Sequence, residues 1–174
     1  MGIYTKTGDR GSTATLSGDR HLKNHPLFEA NGSVDELSAH IGVLRAGPCC
    51  LPALPRFAAF LERVQRDLVP LGAFISSGEA SYLDSIRLGP ADFEALIDLV
   101  LQHHPIDGFI TPGANELEAA LHLTRTVCRR AERRLVDLRE IRPDERALRH
   151  LNRLSDLFFA LALWALAPFD ISFP

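Results

Sequence analysis

Residues 115–139 read N-E-L-E-A-A-L-H-L-T-R-T-V-C-R-R-A-E-R-R-L-V-D-L-R, and this stretch decides the fold. Leu117, Leu121, Cys128 and Leu135 recur at helical spacing, with no proline or glycine to interrupt them. At about 100° per residue, Arg125, Arg129, Glu132 and Arg133 form a stripe that borders this apolar row instead of opposing it. Guanidiniums at such a border are partly desolvated, and an unpartnered desolvated charge is costly. Glu132 can pair with an arginine three or four residues away. The other cations among Arg125, Arg129, Arg130, Arg133 and Arg134 call for an external anion or for an acid from another segment. A solvated, salt-bridged helix at a bundle edge is the plainer reading of the same pattern.

The same period runs outward on both sides. A helix is predicted from about Pro26 or Ser33 to Arg45, with Leu37, Ile41 and Leu44 inward and Gly47-Pro48 as its stop. A second covers about Leu54 to Ser76, and Pro70 in its interior should kink it or sit on a local irregularity. A loop over 77–89 precedes a shorter helix that opens at Pro90 and contains Phe93, Leu96, Ile97 and Val100. The connector 103–113 holds Pro105, Gly108, Pro112 and Gly113, so it is not helical throughout. Pro143 is placed as the first residue of a last helix that reaches about Ala167, a position where proline is tolerated. That helix is Leu-, Phe- and Ala-rich apart from Asn152 and Asp156, polar groups expected to satisfy one another or a ligand. β-Branched alternation is nearly absent. The predicted class is all-α: an up-and-down antiparallel bundle of four long helices and one shorter. One domain is expected over 1–174, with an irregular segment at 1–25 and the bundle at 26–167.

The chain has 174 residues, 46% hydrophobic and 24% charged, with a net charge of −3. That balance argues against a general nucleic-acid or membrane-surface binder. The longest apolar run, from Leu157 to Ala167, is about half the length a bilayer needs. The polar N-terminus offers no signal peptide. Three cysteines, with Cys49 and Cys50 adjacent, match neither a disulfide framework nor a zinc spacing, so reduced thiols in a cytoplasm are expected. Cys128 reads as a small core filler.

The opening stretch Tyr4-Thr5-Lys6-Thr7-Gly8-Asp9-Arg10-Gly11-Ser12-Thr13 packs glycines, hydroxyls and cations together. Glycines let backbone N–H groups approach a ligand, and hydroxyls and cations favour anionic oxygens. It reads as a phosphate cradle, although it lacks the G-x-x-x-x-G-K-[ST] order of the common phosphate loop. The histidines carry less. Glu36…His40 and Glu118…His122 are each one residue too far apart for the Glu-x-x-His motif of bundle di-metal sites. Surface or capping histidines are expected, with His103 and His104 ending the third helix where cations suit the dipole.

Six motifs in order carry a resemblance: T-K-T-G-D-R-G-S-T, then Lys23, E-A-N-G-S-V-D-E-L, F-I-T-P-G, R-T-V-C-R-R-A-E-R-R and L-N-R-L-S-D. Together they closely resemble the ATP:cob(I)alamin adenosyltransferases of the propanediol-utilisation type, over roughly residues 3–165. The resemblance implies a homotrimer of helical bundles with active sites between subunits. It implies transfer of the 5′-deoxyadenosyl group of ATP to the cobalt of reduced cobalamin, with release of triphosphate. Thr5, Lys6, Thr7 and Gly8, with Thr13 and Ala14, would wrap the triphosphate, and Lys23 would reach it. Arg129, Arg130, Glu132 and Arg133 would contact ATP, and Asn152 would bind ATP or its Mg²⁺. Asp35 and Arg125 would form a salt bridge across the subunit boundary. Phe109 would fill the lower corrin face and exclude the axial base; without the resemblance it reads as a core plug in its connector. Two departures stand out. Ala114 occupies the place of a second glycine, and many relatives continue beyond the position of Phe173-Pro174.

Cob(I)alamin is itself a strong nucleophile, so such a site needs neither a protein nucleophile nor a general base. It needs alignment, and donors aimed at the departing triphosphate. A flavin-dependent reductase is the expected electron donor, and neither nucleic acid nor membrane is an expected partner. Two further readings keep the same residues: a nucleotide- or corrinoid-binding module without turnover, and a helical assembly protein whose arginines serve subunit contacts.

Overall fold

The computed structural model describes residues 4, 6–47, 54–106 and 108–174. Five α-helices follow a small hairpin: β1 (Ser12–Ala14), β2 (Arg20–Leu22), α1 (Pro26–Ala46), α2 (Pro55–Ser77), α3 (Pro90–His103), α4 (Glu116–Val136) and α5 (Glu145–Trp164). α1 packs between α2 and α4, and α5 between α4 and α3. The all-α bundle of four long helices and one shorter is therefore the observed architecture.

Local chemistry sets the helix ends. His25 caps α1, its Nδ1 accepting from the Leu27 N–H at 3.2 Å, and Pro26 takes the first turn. Asn115 caps α4 by accepting from the Glu118 N–H at 2.9 Å. α2 ends at Gly78, whose φ of +83° lies in the left-handed region that favours glycine. Arg142 then donates to the Ile75 carbonyl at 3.0 Å, placing a cation at the negative end of the helix.

Phe57, Phe60, Phe74, Phe93, Phe158 and Trp164 fill the core, all buried. Truncating one such ring costs about 3–5 kcal/mol. Asp67 of α2 is also buried, and its carboxylate accepts from the Arg87 and Leu88 N–H groups at 3.1 and 2.8 Å. That clamp shapes the α2–α3 connection.

Four sequence expectations change. The 77–89 loop contains a short 3-10 helix, Ala80–Ser85. The irregular N-terminal segment contains the hairpin, whose three-residue strands are too short to show alternation. Pro143 precedes α5 instead of opening it, because the Asp144 carboxylate caps the helix by accepting from the Arg146 N–H at 2.9 Å. α2 runs unbroken past Pro70, which stands half-buried beside the exposed Val69. The N–H it lacks would have served the carbonyl of Arg66, whose side chain is exposed. Among the described residues, no helix is long and apolar enough to cross a membrane. Cys49 and Cys50 lie outside the described residues, whereas Cys128 is buried on the core face of α4.

Candidate functional site

The N-terminal segment folds back on itself through Arg20. Its guanidinium donates to the Thr7 carbonyl at 2.9 Å, the Ser12 carbonyl at 3.2 Å and the Ser12 hydroxyl at 2.9 Å. Lys6 adopts φ +58°, a left-handed conformation uncommon outside glycine, and Gly11 follows at +79°. Lys23 N–H donates to the Gly11 carbonyl at 2.9 Å, which brings its side chain across the turn. A β-carbon at Gly8 would lie 3.3 Å from Lys23 Cε and Nζ, so glycine gives the ammonium room there. Thr7, Gly8 and Lys23 are thus brought together, with Thr13 in β1 and Ala14 at its end; Thr5 lies outside the described residues. Arg20, which organises the turn, was not among the expected site residues.

The hairpin rests on α2, where the Leu16 N–H donates to Ser76 Oγ at 2.8 Å. Beside it runs an α1–α2 groove of about 530 Å³, lined by Leu16, Asn31, Asp35, Ser38, Gly72 and Ser76. Asp35 is exposed there and has no ion-pair partner among the described residues.

The arginines face elsewhere. Arg125, Arg129, Asp156, Phe159 and Ile106 line a cavity of about 330 Å³ between α4, α5 and α3. The Arg125 guanidinium lies 5.8 Å from the Phe159 ring centroid, and its buried Nε has no hydrogen-bond partner. Arg130 pairs with Glu36 of α1, and Arg134 with Asp137 at 3.7 Å, so acids from outside the stripe answer two of the five cations. No carboxylate stands within ion-pair distance of Arg125, Arg129 or Arg133 among the described residues. Glu132 pairs with none of them; it accepts from Asn152 Nδ2 at 2.9 Å. Asp156 is held by Arg153 at 2.8 Å, and Arg153 also reaches Glu94 at 3.1 Å. Glu132 and Asn152 line a further cavity of about 470 Å³ at the α4–α5 turn, with Arg139, Arg142 and Arg149.

Within one chain these two halves are separate. No hydrogen bond or ion pair among the described residues joins Lys23 to Arg125, Arg129 or Arg133, and none joins Asp35 to Arg125. Phe109 is fully exposed, at 111%, which excludes the core-plug reading.

Two histidines contradict the surface-or-cap expectation: His122 and His150 are buried. Burial pushes the His150 imidazole down to about 4, opposed by the Asp67 charge. Burial also lowers His122, with Glu118 opposing and Arg125 assisting. The Cys128 thiol is pushed up by burial and by the charges of Glu132 and Asp156, and it donates to the Leu151 carbonyl at 3.3 Å. It is a core group and not a nucleophile.

The cobalamin adenosyltransferase family model matches residues 3–165. The chain is 40% identical over 170 residues to corrinoid adenosyltransferase PduO of Citrobacter freundii, covering 93% of this chain and 49% of that one. It is 39% identical to human corrinoid adenosyltransferase MMAB, covering 94% of this chain and 68% of that one. The chain thus spans about half the length of the bacterial PduO relatives it matches. Among solved structures, a phenylalanine-to-alanine variant of a PduO-type ATP:corrinoid adenosyltransferase from Lactobacillus reuteri, complexed with cobalamin and ATP, aligns with a TM-score of 0.84. It is 33% identical, and the alignment covers 95% of this chain and 93% of that one. An arginine-to-lysine variant of the same enzyme, complexed with ATP, aligns with a TM-score of 0.82 at 33% identity, covering 95% and 94%.

Proposed function

The chain belongs to the cobalamin adenosyltransferase family, and from that premise we propose that it transfers the 5′-deoxyadenosyl group of ATP to cob(I)alamin. The observation that carries the reading is a divided anion site. A glycine-bearing turn with Lys23 lies on the α1–α2 side of the chain, while Arg125, Arg129 and Arg133 on α4 have no carboxylate partner among the described residues. Two half-sites that do not meet in one chain suit an active site completed by a second copy, and a homotrimer closes such a head-to-tail contact.

In this reading the Co(I) electron pair attacks the ribose C5′, the C5′–O bond breaks, and triphosphate departs with the bonding pair. The turn at Lys6, Thr7 and Gly8, with Thr13, Ala14 and Lys23, holds the phosphates, joined by Thr5 as the resemblance implies, and Arg129, Arg130 and Arg133 meet the growing charge from the neighbouring subunit. Arg130 would share its guanidinium with Glu36, to which it is already paired. A single preorganised donor at developing charge contributes about 3 kcal/mol to the barrier reduction.

Magnesium would travel with the triphosphate, whose oxygens are hard ligands that suit it. Asn152 gives its amide N–H to Glu132, which leaves its carbonyl oxygen as the hard ligand that would face such an ion. Phe109 would occupy the lower corrin face and hold the axial base away, easing reduction of Co(II) by a flavin-dependent reductase.

The test is spectrophotometric: protein, ATP, cobalamin and a strong reductant should yield a light-sensitive Co–C product. ATP binding without that product would instead establish a binding module. Loss of assembly with unchanged ATP affinity in Arg129→Ala would establish an assembly protein.

A further inference from the structure

The connector that carries Phe109 is pinned at both ends to the chain that follows α5. His104 Nε2 lies 3.1 Å from the Ala167 carbonyl, and His103 stacks on Phe169 at 4.0 Å between centroids. At the far end Asn115 Nδ2 donates to the Ala165 carbonyl at 2.8 Å. Between these anchors Phe109 projects into solvent. Four residues after it, Gly113 adopts φ +123°, a conformation that only glycine takes without strain.

A carboxylate with no solvent exposure sits under that turn. Glu118 Oε2 accepts from the Gly113 N–H at 2.8 Å and from the Ala114 N–H at 3.1 Å. Glu118 is the third residue after the Asn115 cap, where a capping-box glutamate would return to the cap's own N–H. Here it reaches one and two residues further back, into the connector. Its second oxygen, Oε1, stands 3.1 Å from His122 Nε2, close enough for an ion pair yet not aligned as a hydrogen bond. Burial keeps that imidazole neutral near physiological pH. The contact is charge to dipole, and it leaves the two connector N–H groups as the carboxylate's aligned donors. The positive end of α4 adds to its stabilisation.

We infer that Glu118 is a positioning residue, backed by His122, which fixes residues 113 and 114 and thereby sets where Phe109 stands. The inference rests on the transferase reading and assigns this pair a part in the Co(II) half of the reaction only.

Glu118→Leu keeps the volume and removes the acceptor; Glu118→Gln keeps an acceptor oxygen. From Co(II), Glu118→Leu should be slower by about 10- to 100-fold, the size expected when a group near the reacting centre is misplaced. From chemically prepared Co(I) its rate and its KM for ATP should match the wild type, and Glu118→Gln should restore most of the Co(II) rate. The double variant with Phe109→Ala should be no slower than Phe109→Ala alone. Equal losses from Co(II) and Co(I), or an unaffected Co(II) rate, overturn the inference. Should the leucine variant not fold, hydrogen exchange on the wild-type protein decides: Gly113 and Ala114 amides protected well beyond free loop, like the Asn115-capped amide of Glu118, support the clamp, and amides exchanging like free loop overturn it. A wild-type protein without activity would sink the transferase reading, while the exchange measurement would still report on the clamp.

Discussion

Arg129 and Lys23 place the sharpest demands on single side chains. Among the described residues, Arg129 is exposed on α4 with no carboxylate within ion-pair distance, and Lys23 leans over Gly8 with its ammonium uncommitted to any acid. Neither supports the fold, so Arg129→Ala or Lys23→Ala should leave helicity and melting temperature unchanged. Each should slow transfer or raise the ATP requirement by about 3 kcal/mol, roughly a hundredfold. Steady-state kinetics beside circular dichroism checks this, and wild-type rates would remove these residues from the site. Phe109 makes a different demand. An exposed ring has no packing to lose, so Phe109→Ala should spare both stability and ATP binding while slowing the reaction from Co(II). If the rate from prepared Co(I) fell equally, the ring would have no role at the lower corrin face.

At the scale of elements, α5 carries a pH dependence. His150 is buried edge-on to Phe93, and burial holds its imidazole at about 4 against an ordinary 6.5. In the unfolded chain it takes a proton as pH falls through about 6.5, whereas the folded chain refuses one until about 4. Stability is therefore full above that upper value and is lost as pH falls between the two. The span is worth roughly 3 kcal/mol, and the lowered imidazole of His122 acts in the same direction. Denaturant unfolding of wild type and His150→Leu at neutral and mildly acidic pH should show a flatter dependence in the variant; identical slopes would refute the assignment. The helices themselves were legible because Leu37, Ile41 and Leu44, or Leu117, Leu121 and Cys128, repeat with a helical period that no strand shares. The buried polar groups were not. Asp67 and Glu118 accept backbone N–H groups from the connections beside them, and His150 packs on Phe93 with its buried Nε2 unpartnered among the described residues, arrangements that no helical period encodes. Glu118 did leave a trace, since Asn115-x-x-Glu118 has capping-box spacing. The hairpin was invisible because a side chain, Arg20, holds it together more than strand propensity does.

The molecule as a whole divides its candidate site between two faces. The turn of Gly8 and Lys23 adjoins the α1–α2 groove where Asp35 is exposed and unpaired among the described residues; Arg125 and Arg129 line a cavity across the bundle. α1 lies between α2 and α4, so the bundle's own core stands between these faces, and in the proposed reading a second copy would bring them together. The motifs could reveal both halves but not their separation, since spacing along a chain says nothing of which side of a bundle each reaches. A trimer that pairs Asp35 of one copy with Arg125 of the next would give the buried, unpartnered Nε of Arg125 an acceptor. Asp35→Asn should then weaken assembly, and Arg125→Gln should weaken it similarly. Combining them should cost little more than either alone, with a coupling of about 1–3 kcal/mol. Sedimentation across a concentration series measures this directly. Strictly additive losses, or an undiminished trimer in Asp35→Asn with full activity, would dismiss the pair and leave the two faces to be joined by some other contact.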